Sequence, residues 1–224
     1  MRDKKKTLIL SLISLGIFIL ILIFVVSGKI SVDYLISSSV SKTHSPSVNW
    51  FFIFLGNYAG KIMILIAIIL GVTLYSKKRR IQSFVFLLTL VSGYILGSLI
   101  KFAVKKERPL IQLIQETGYS FPSQHSVFSV ILFSMLIYFY KDEFKSKAEK
   151  AVFIFAGVLL IFLVGLSRIY LNVHWFSDII GGYALGFFLV CLCVLLPDIG
   201  LNNKVQIHPT LLRCRGLSAL FKKS

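Results

Sequence analysis

The pair Ser167-Arg168 is followed after five residues by His174 and after three more by Asp178, and this run lies between two apolar segments of membrane length. Titratable side chains at a membrane edge are costly to keep, so their presence calls for a chemical reason. Two earlier segments carry groups of the same kind: Lys101 precedes Arg108-Pro109, and Phe121-Pro122 leads into Ser123-Gln124-His125. Transfer of a phosphoryl group spreads charge over its equatorial oxygens, so a catalyst needs fixed positive donors around them. Lys101, Arg108 and Arg168 can supply that charge, the two arginines in bidentate fashion. Neutral imidazole can attack phosphorus in line if an acceptor holds its other nitrogen. His174 and Asp178 are four residues apart and share a face if helical, which would let Asp178 fix the tautomer of His174. His125 could then protonate the departing oxygen and later activate water. Ser123 would begin a helix, where unpaired backbone N–H groups and the dipole favour an anion. Together these residues form a phosphate-handling set.

The elements that must position them follow from composition. Hydrophobic residues make up 56% of the 224, mean hydropathy is +0.83 and only 15% of residues are charged, which specifies an integral membrane protein. Apolar runs at 7–27, 51–76, 81–100, 124–140, 151–167 and 177–197 are each close to the ~20 residues needed to cross a bilayer core. The expectation is an all-α, polytopic chain of about six transmembrane helices, forming one domain over 1–224 with a basic tail at 198–224. The first run follows a basic segment, as a secretory signal would. Its apolar part is too long, however, and no small-x-small cleavage site precedes Lys29, so an uncleaved helix is expected.

Basic residues orient the bundle. Arg2, Lys4, Lys5 and Lys6 precede the first run, Lys77, Lys78, Arg79 and Arg80 follow the second, and Lys141, Lys145, Lys147 and Lys150 follow the fourth. Lys204, Arg213, Arg215, Lys222 and Lys223 lie in the tail. An even number of crossings puts all four groups on one side, cytoplasmic by the positive-inside rule, with both termini there. The candidate site then faces outward. Most of the net charge of +16 flanks membrane helices, which anchors them to anionic headgroups and leaves no soluble basic domain for nucleic acid.

Other classes of site find little support. Cys191 and Cys193 point in different directions on one helix, Cys214 lies in the tail, and no disulfide or zinc spacing is present. Of nine carboxylates, only Asp33, Glu107, Glu116 and Asp178 fall on the outer side. A two-metal phosphatase would want several converging carboxylates, so neither a metal nor a cofactor is expected. Residues 28–49 are serine-rich and read as a flexible or interfacial connector. Gly93 with Gly97, and Gly182 with Gly186, have the spacing of close helix packing. Lys105 and Lys106 read either as a solvated loop or as holders of a second phosphate. His44 and His208 receive no role.

The three segments resemble the signature of the type 2 phosphatidic acid phosphatase (PAP2) superfamily, the lipid phosphate phosphatases, whose motifs read K-x6-R-P, P-S-G-H and S-R-x5-H-x3-D. Here they stand as Lys101 to Pro109, Pro122 to His125 and Ser167 to Asp178, a match covering residues 101–178. The resemblance implies a phosphohistidine intermediate on His174, hydrolysis of a lipid phosphate or diphosphate without a metal, and a place in the bacterial inner membrane. One position departs from the pattern. The family's glycine in the second motif, whose N–H faces the phosphate, is Gln124 here; glycine allows close approach, whereas a glutamine side chain must turn away from the substrate or contact it. Non-glycine residues occur there within the family, notably in undecaprenyl-diphosphate phosphatases, so Gln124 reads as a specificity feature.

The hydrophobic body suggests a lipid entering laterally, with its headgroup meeting the cations at the outer interface. Undecaprenyl diphosphate, phosphatidylglycerol phosphate, phosphatidic acid and lipid A phosphates all remain open as substrates, and the oligomeric state is not legible. A lipid phosphotransferase using the same phosphohistidine is the nearest alternative. A vanadium haloperoxidase would share the motifs but is soluble. A non-catalytic membrane scaffold would not need His125, His174 and Asp178, and a transporter would place its ionisable groups at midplane.

Overall fold

Seven helices make up all the regular structure of residues 4–29 and 31–200, the part of the chain described by a computed structural model, with side chains described through residue 195. Arg2 and nearly all of the expected basic tail, including His208 and Cys214, lie outside the described residues. The helices are α1 (Lys4–Val26), α2 (Ser31–Ser41), α3 (Pro46–Ser76), α4 (Arg80–Val104), α5 (Gln124–Tyr140), α6 (Lys147–Tyr170) and α7 (Phe176–Gly200). Five of them, α1, α3, α4, α6 and the Phe176–Leu195 part of α7, are long and apolar enough to cross a membrane. Their outward faces carry large apolar residues such as Leu12, Leu65, Phe84, Val91 and Phe155, as expected where the solvent is hydrocarbon. The chain is an integral membrane protein.

The shorter α5, 17 residues long, is the centre of the bundle and packs against α4, α6 and α7. Its Val127, Ile131 and Met135 join Phe86 and Leu90 of α4 and Leu189 and Cys193 of α7 in one core. Small residues make that approach possible. A side chain at Gly182 of α7 would sit 2.8 Å from both the Ser123 carbonyl and the Ser126 Cβ, and one at Gly97 of α4 would meet the Gln124 amide at 2.7 Å. The close contact of α5 with α7 brings the start of each helix together, and the Ser123 N–H donates to the Asp178 carbonyl at 3.1 Å.

The ends of the bundle differ in chemistry. At one end meet the start of α3, the ends of α4 and α6, and the starts of α5 and α7, with α2 laid across α6 and α7. At the other, Arg79 donates to the Phe139 carbonyl and pairs with Glu143 at 3.5 Å, amid the lysines and arginines of the two connections there. Local signals set the boundaries. Ser123 caps α5 by accepting from the Ser126 N–H, Ser146 and Glu149 form a reciprocal capping box on α6, and Pro46 opens α3, each satisfying or tolerating the orphan donors of a first turn.

The segment 28–49 departs from its expected role as a connector. It contains α2 and the start of α3, and it is docked on the bundle. Ser38 and Ser41 hydroxyls donate back to carbonyls of their own helix, while Ser37 donates to Asn172 Oδ1 at 2.7 Å and His44 Nε2 lies 3.0 Å from the Tyr170 carbonyl. Serine-rich composition signals turn or linker because hydroxyls compete for the backbone. Here those hydroxyls bond within the helix or across to the α6–α7 turn.

Candidate active site

His174 lies in the turn between α6 and α7, Asp178 in the first turn of α7, and both are buried. Asp178 Oδ2 lies 3.3 Å from His174 Nδ1 and also accepts the Trp175 N–H at 2.9 Å. That second bond locks the carboxylate beneath the ring. On the far side of the imidazole, Arg108 Nη1 approaches His174 Nε2 at 3.3 Å. Guanidinium can only donate, so Nε2 carries the lone pair and Nδ1 carries the proton toward Asp178. Burial pushes the His174 pKa down to about 4; the hydrogen bond and charge of Asp178 oppose this, and the charges of Arg108 and Lys101 add to it. The ring is therefore a neutral base at pH 7 with its lone pair aimed at a cation.

The two arginines are tied to the same place. Arg108, in the loop after α4, donates to the Val173 carbonyl at 2.7 Å and the Gly118 carbonyl at 3.1 Å; Gly118 adopts φ +75°, a turn conformation that glycine allows without strain. Arg168, at the end of α6 and fully buried, donates to the Gly56 carbonyl of α3 at 2.9 Å. Glu116 joins them: Oε2 lies 3.3 Å from Arg108 Nη2 and Oε1 lies 3.3 Å from Arg168 Nη1. A carboxylate thus occupies the fork donors that a phosphate would use. Lys101, on the last turn of α4, donates to the Tyr119 and Ser120 carbonyls at 2.6 and 2.9 Å, so it pins the loop that leads into α5. Ser123 is fully buried at the α5 start, where the first N–H groups have no intrahelical acceptor.

The Gln124 side chain packs onto α4, its amide donating to the Tyr94 carbonyl at 3.1 Å and the Ser98 hydroxyl at 3.2 Å, in the notch left by Gly97. His125 borders Gly60 of α3, where a Cβ would lie 3.1 Å from its Nε2. Two spaces meet at this histidine. One, of about 200 Å³, is an apolar slot lined by Leu90, Tyr94, Gln124, Val127, Phe128 and Ile131; the other, of about 560 Å³, is a polar chamber lined by Asn57, Lys61, Gln115, Glu116 and Thr117. Gly60, Ile64 and His125 line both.

Lys106 is neither solvated nor open to a ligand. It is 8% exposed, and its Nζ lies 2.8 Å from Asp33 Oδ2, 3.0 Å from Asp178 Oδ1 and 2.6 Å from the Ser177 hydroxyl. Asp33 of α2, also buried, accepts the Ser177 N–H at 2.8 Å and hydroxyl at 2.7 Å. A buried lysine needs this pairing, and each carboxylate needs the lysine. The result is a continuous chain from Asp33 through Lys106 and Asp178 to His174. Lys105 beside it stays exposed in the left-handed conformation that ends α4. Sequence reasoning missed Asp33, Ser177 and Glu116 as site components, since no local pattern marks them, and it offered Lys106 as a solvated cation or a phosphate holder and not as the partner of Asp178. It also passed over Lys61, although a lone cation inside an apolar run of membrane length is a legible signal.

Comparison with known proteins converges on one family. The model of the PAP2 superfamily matches residues 82–199. Phosphatidylglycerophosphatase B of Bacillus subtilis (strain 168) is 33% identical over 138 residues, 59% of this chain and 68% of that protein. Undecaprenyl-diphosphatase of Sulfolobus acidocaldarius is 26% identical over 168 residues, 71% of this chain and 76% of that one. In fold, the chain is similar to the crystal structure of a transmembrane PAP2 type phosphatidylglycerolphosphate phosphatase from Bacillus subtilis, with a TM-score of 0.74 at 23% identity over 85% of this chain and 98% of that one. It also resembles Aquifex aeolicus LpxE, with a TM-score of 0.59 at 18% identity over 74% and 96% of the two chains. With its motif segments inside the matched region and its helices arranged as in those structures, the chain belongs to the PAP2 superfamily.

Proposed function

We propose that this chain is a membrane lipid phosphatase that cleaves a phosphomonoester or diphosphate of a lipid through a phosphohistidine on His174. The observation that carries the reading is the His174 imidazole, held at Nδ1 by Asp178 and faced at Nε2 by Arg108. Substrate phosphate displaces Glu116 and is gripped by Arg108 and Arg168, with Lys101, the Ser123 hydroxyl and the first N–H groups of α5, including that of Gln124, around its oxygens. As Arg108 shifts to the phosphate, the Nε2 lone pair attacks phosphorus. The negative charge of the bound phosphate favours the protonated form of His125, which gives its proton to the leaving oxygen as the P–O bond breaks. The Nδ1 proton stays between His174 and Asp178, whose charge stabilises the phosphorylated ring. His125, now neutral, takes a proton from water; the hydroxide attacks phosphorus, the N–P bond breaks and inorganic phosphate leaves. Lys106 and Asp33 act one step back, as positioning residues for Asp178.

Amphiphile chemistry supports a lipid, since the polar chamber and the apolar slot meet at His125. The names of the relatives favour phosphatidylglycerol phosphate or undecaprenyl diphosphate over other lipids. We place α5 across the membrane as a sixth span, the basic bundle end and both termini in the cytoplasm, and the site facing outward from a bacterial inner membrane. The test is phosphate release by detergent-purified protein, with EDTA present, from undecaprenyl diphosphate, phosphatidylglycerol phosphate and phosphatidic acid. Turnover is expected to persist in EDTA and vanish in His174→Ala, with an acid-labile, base-stable phosphoenzyme trapped only in the parent. Substantial turnover by folded His174→Ala would refute the mechanism.

A further inference from the structure

Lys61 is a cation that the catalytic assignment leaves unused. It stands at the middle of α3, a 31-residue helix with the length and hydropathy of a membrane span. A charge at such depth is expensive unless it serves a polar space. Lys61 lines the polar chamber, and its neighbour Gly60 borders His125, which opens on the same chamber. Among the described residues Lys61 forms no salt bridge; its ammonium lies 5.5 Å from the centroid of the Tyr58 ring. Glu116, the carboxylate lining that chamber, is already engaged by Arg108 and Arg168.

Reaction geometry says which part of a substrate reaches this lysine. Attack by His174 is in line, so the leaving group departs on the opposite side of phosphorus, where His125 protonates it. Space contiguous with His125 can therefore receive the leaving group, while the Glu116 edge of the chamber borders the transferred phosphate. Its apolar slot takes hydrocarbon, and its polar chamber holds a cation. We infer that Lys61 binds a second phosphate carried on the leaving group, which rests on the phosphatase reading and on His125 as the acid. Two lipid classes have such a group: a lipid diphosphate, whose inner phosphate departs with the lipid, and a phosphoglycerol lipid, whose phosphodiester does. Phosphatidic acid leaves as a neutral diacylglycerol and offers Lys61 nothing.

The experiment compares kcat/KM for undecaprenyl diphosphate, phosphatidylglycerol phosphate and phosphatidic acid in the full-length parent, Lys61→Met and Lys61→Arg. The readout is the ratio of each two-phosphate lipid to phosphatidic acid, which does not depend on how much of a variant folds. That ratio is expected to fall about tenfold in Lys61→Met, the worth of one hydrogen bond to a charged group, and to be retained in Lys61→Arg. A fall for the diphosphate alone, or for the phosphoglycerol lipid alone, identifies which source the site takes. Unchanged ratios in an active Lys61→Met enzyme would overturn the assignment while leaving the phosphatase intact. No phosphate release from any lipid by the parent would instead overturn the phosphatase reading, and this inference with it.

Discussion

Replacing Lys106 by methionine tests whether the buried charge chain holds the site together. The substitution keeps the apolar stem and removes the ammonium that lies 2.8 Å from Asp33 and 3.0 Å from Asp178, carboxylates with side chains 2% and 0% exposed. Two buried negative charges then face each other without a cation. Breaking a buried pair in this way costs about 3–5 kcal/mol. A second route to the magnitude agrees: protonating one carboxyl at pH 7, some three pH units above its ordinary pKa, costs about 4 kcal/mol. For a chain of this size that corresponds to a fall in Tm of roughly 10 °C. If Asp178 takes the proton, it no longer stabilises a phosphorylated His174, and kcat falls by about 10²–10⁴, the scale of losing a triad carboxylate. Adding Asp33→Asn to Lys106→Met restores the original net charge of the cluster, so the double variant is expected to be more stable than the single one. Thermal unfolding in detergent, paired with turnover, reads both effects. A Lys106→Met protein with unchanged Tm, or a double variant less stable than the single by the full effect of Asp33→Asn, would refute the reasoning and return Lys106 to the solvent.

Two further outcomes follow from the same geometry. Glu116 pairs with Arg108 and Arg168, the donors proposed for substrate phosphate; Glu116→Gln is expected to tighten inhibition by inorganic phosphate by about threefold to tenfold, since partly exposed ion pairs are worth roughly 1 kcal/mol or less each, and weaker inhibition would show instead that Glu116 organises the arginines. For pH, the His174 pKa of about 4 in the folded chain lies below the ~6.5 of a free histidine. Between these values the unfolded chain binds a proton that the folded chain refuses, so this contribution makes stability rise with pH and fall on acidification. The parent is expected to lose more Tm between pH 6.5 and 4.5 than His174→Gln does, and parallel losses would exclude the buried neutral imidazole.

Much of the site was legible because its residues come in short, spaced runs. His174 and Asp178 are four residues apart, and the structure joins them through one hydrogen bond. The helix start at Ser123 was visible from its own residue type and the apolar run that follows, and Ser123 does cap α5. Gln124 posed a choice between facing the substrate and turning away, which no local rule could decide. The Gly97 notch on another helix seats its amide, and the residue still lines the apolar slot beside His125. Lys106 shows the limit most clearly. In sequence it is one cation in a Lys-Lys-Glu-Arg run, indistinguishable from Lys105, yet one is exposed and the other buried in a salt-bridged cluster.

By itself, the sequence determined what rests on composition and near neighbours: a helical membrane chain, five of the six expected spans, the basic flanks, and the histidines, arginines and carboxylate that can handle phosphate. Only the tertiary structure decided how those charges are neutralised. Asp33 meets Lys106 across 73 positions and Ser177 across 144, and Glu116 meets Arg168 across 52. A charge removed from water must find a partner of opposite sign. The partner is chosen by which helix ends the packing brings together, and that choice leaves no trace in local spacing.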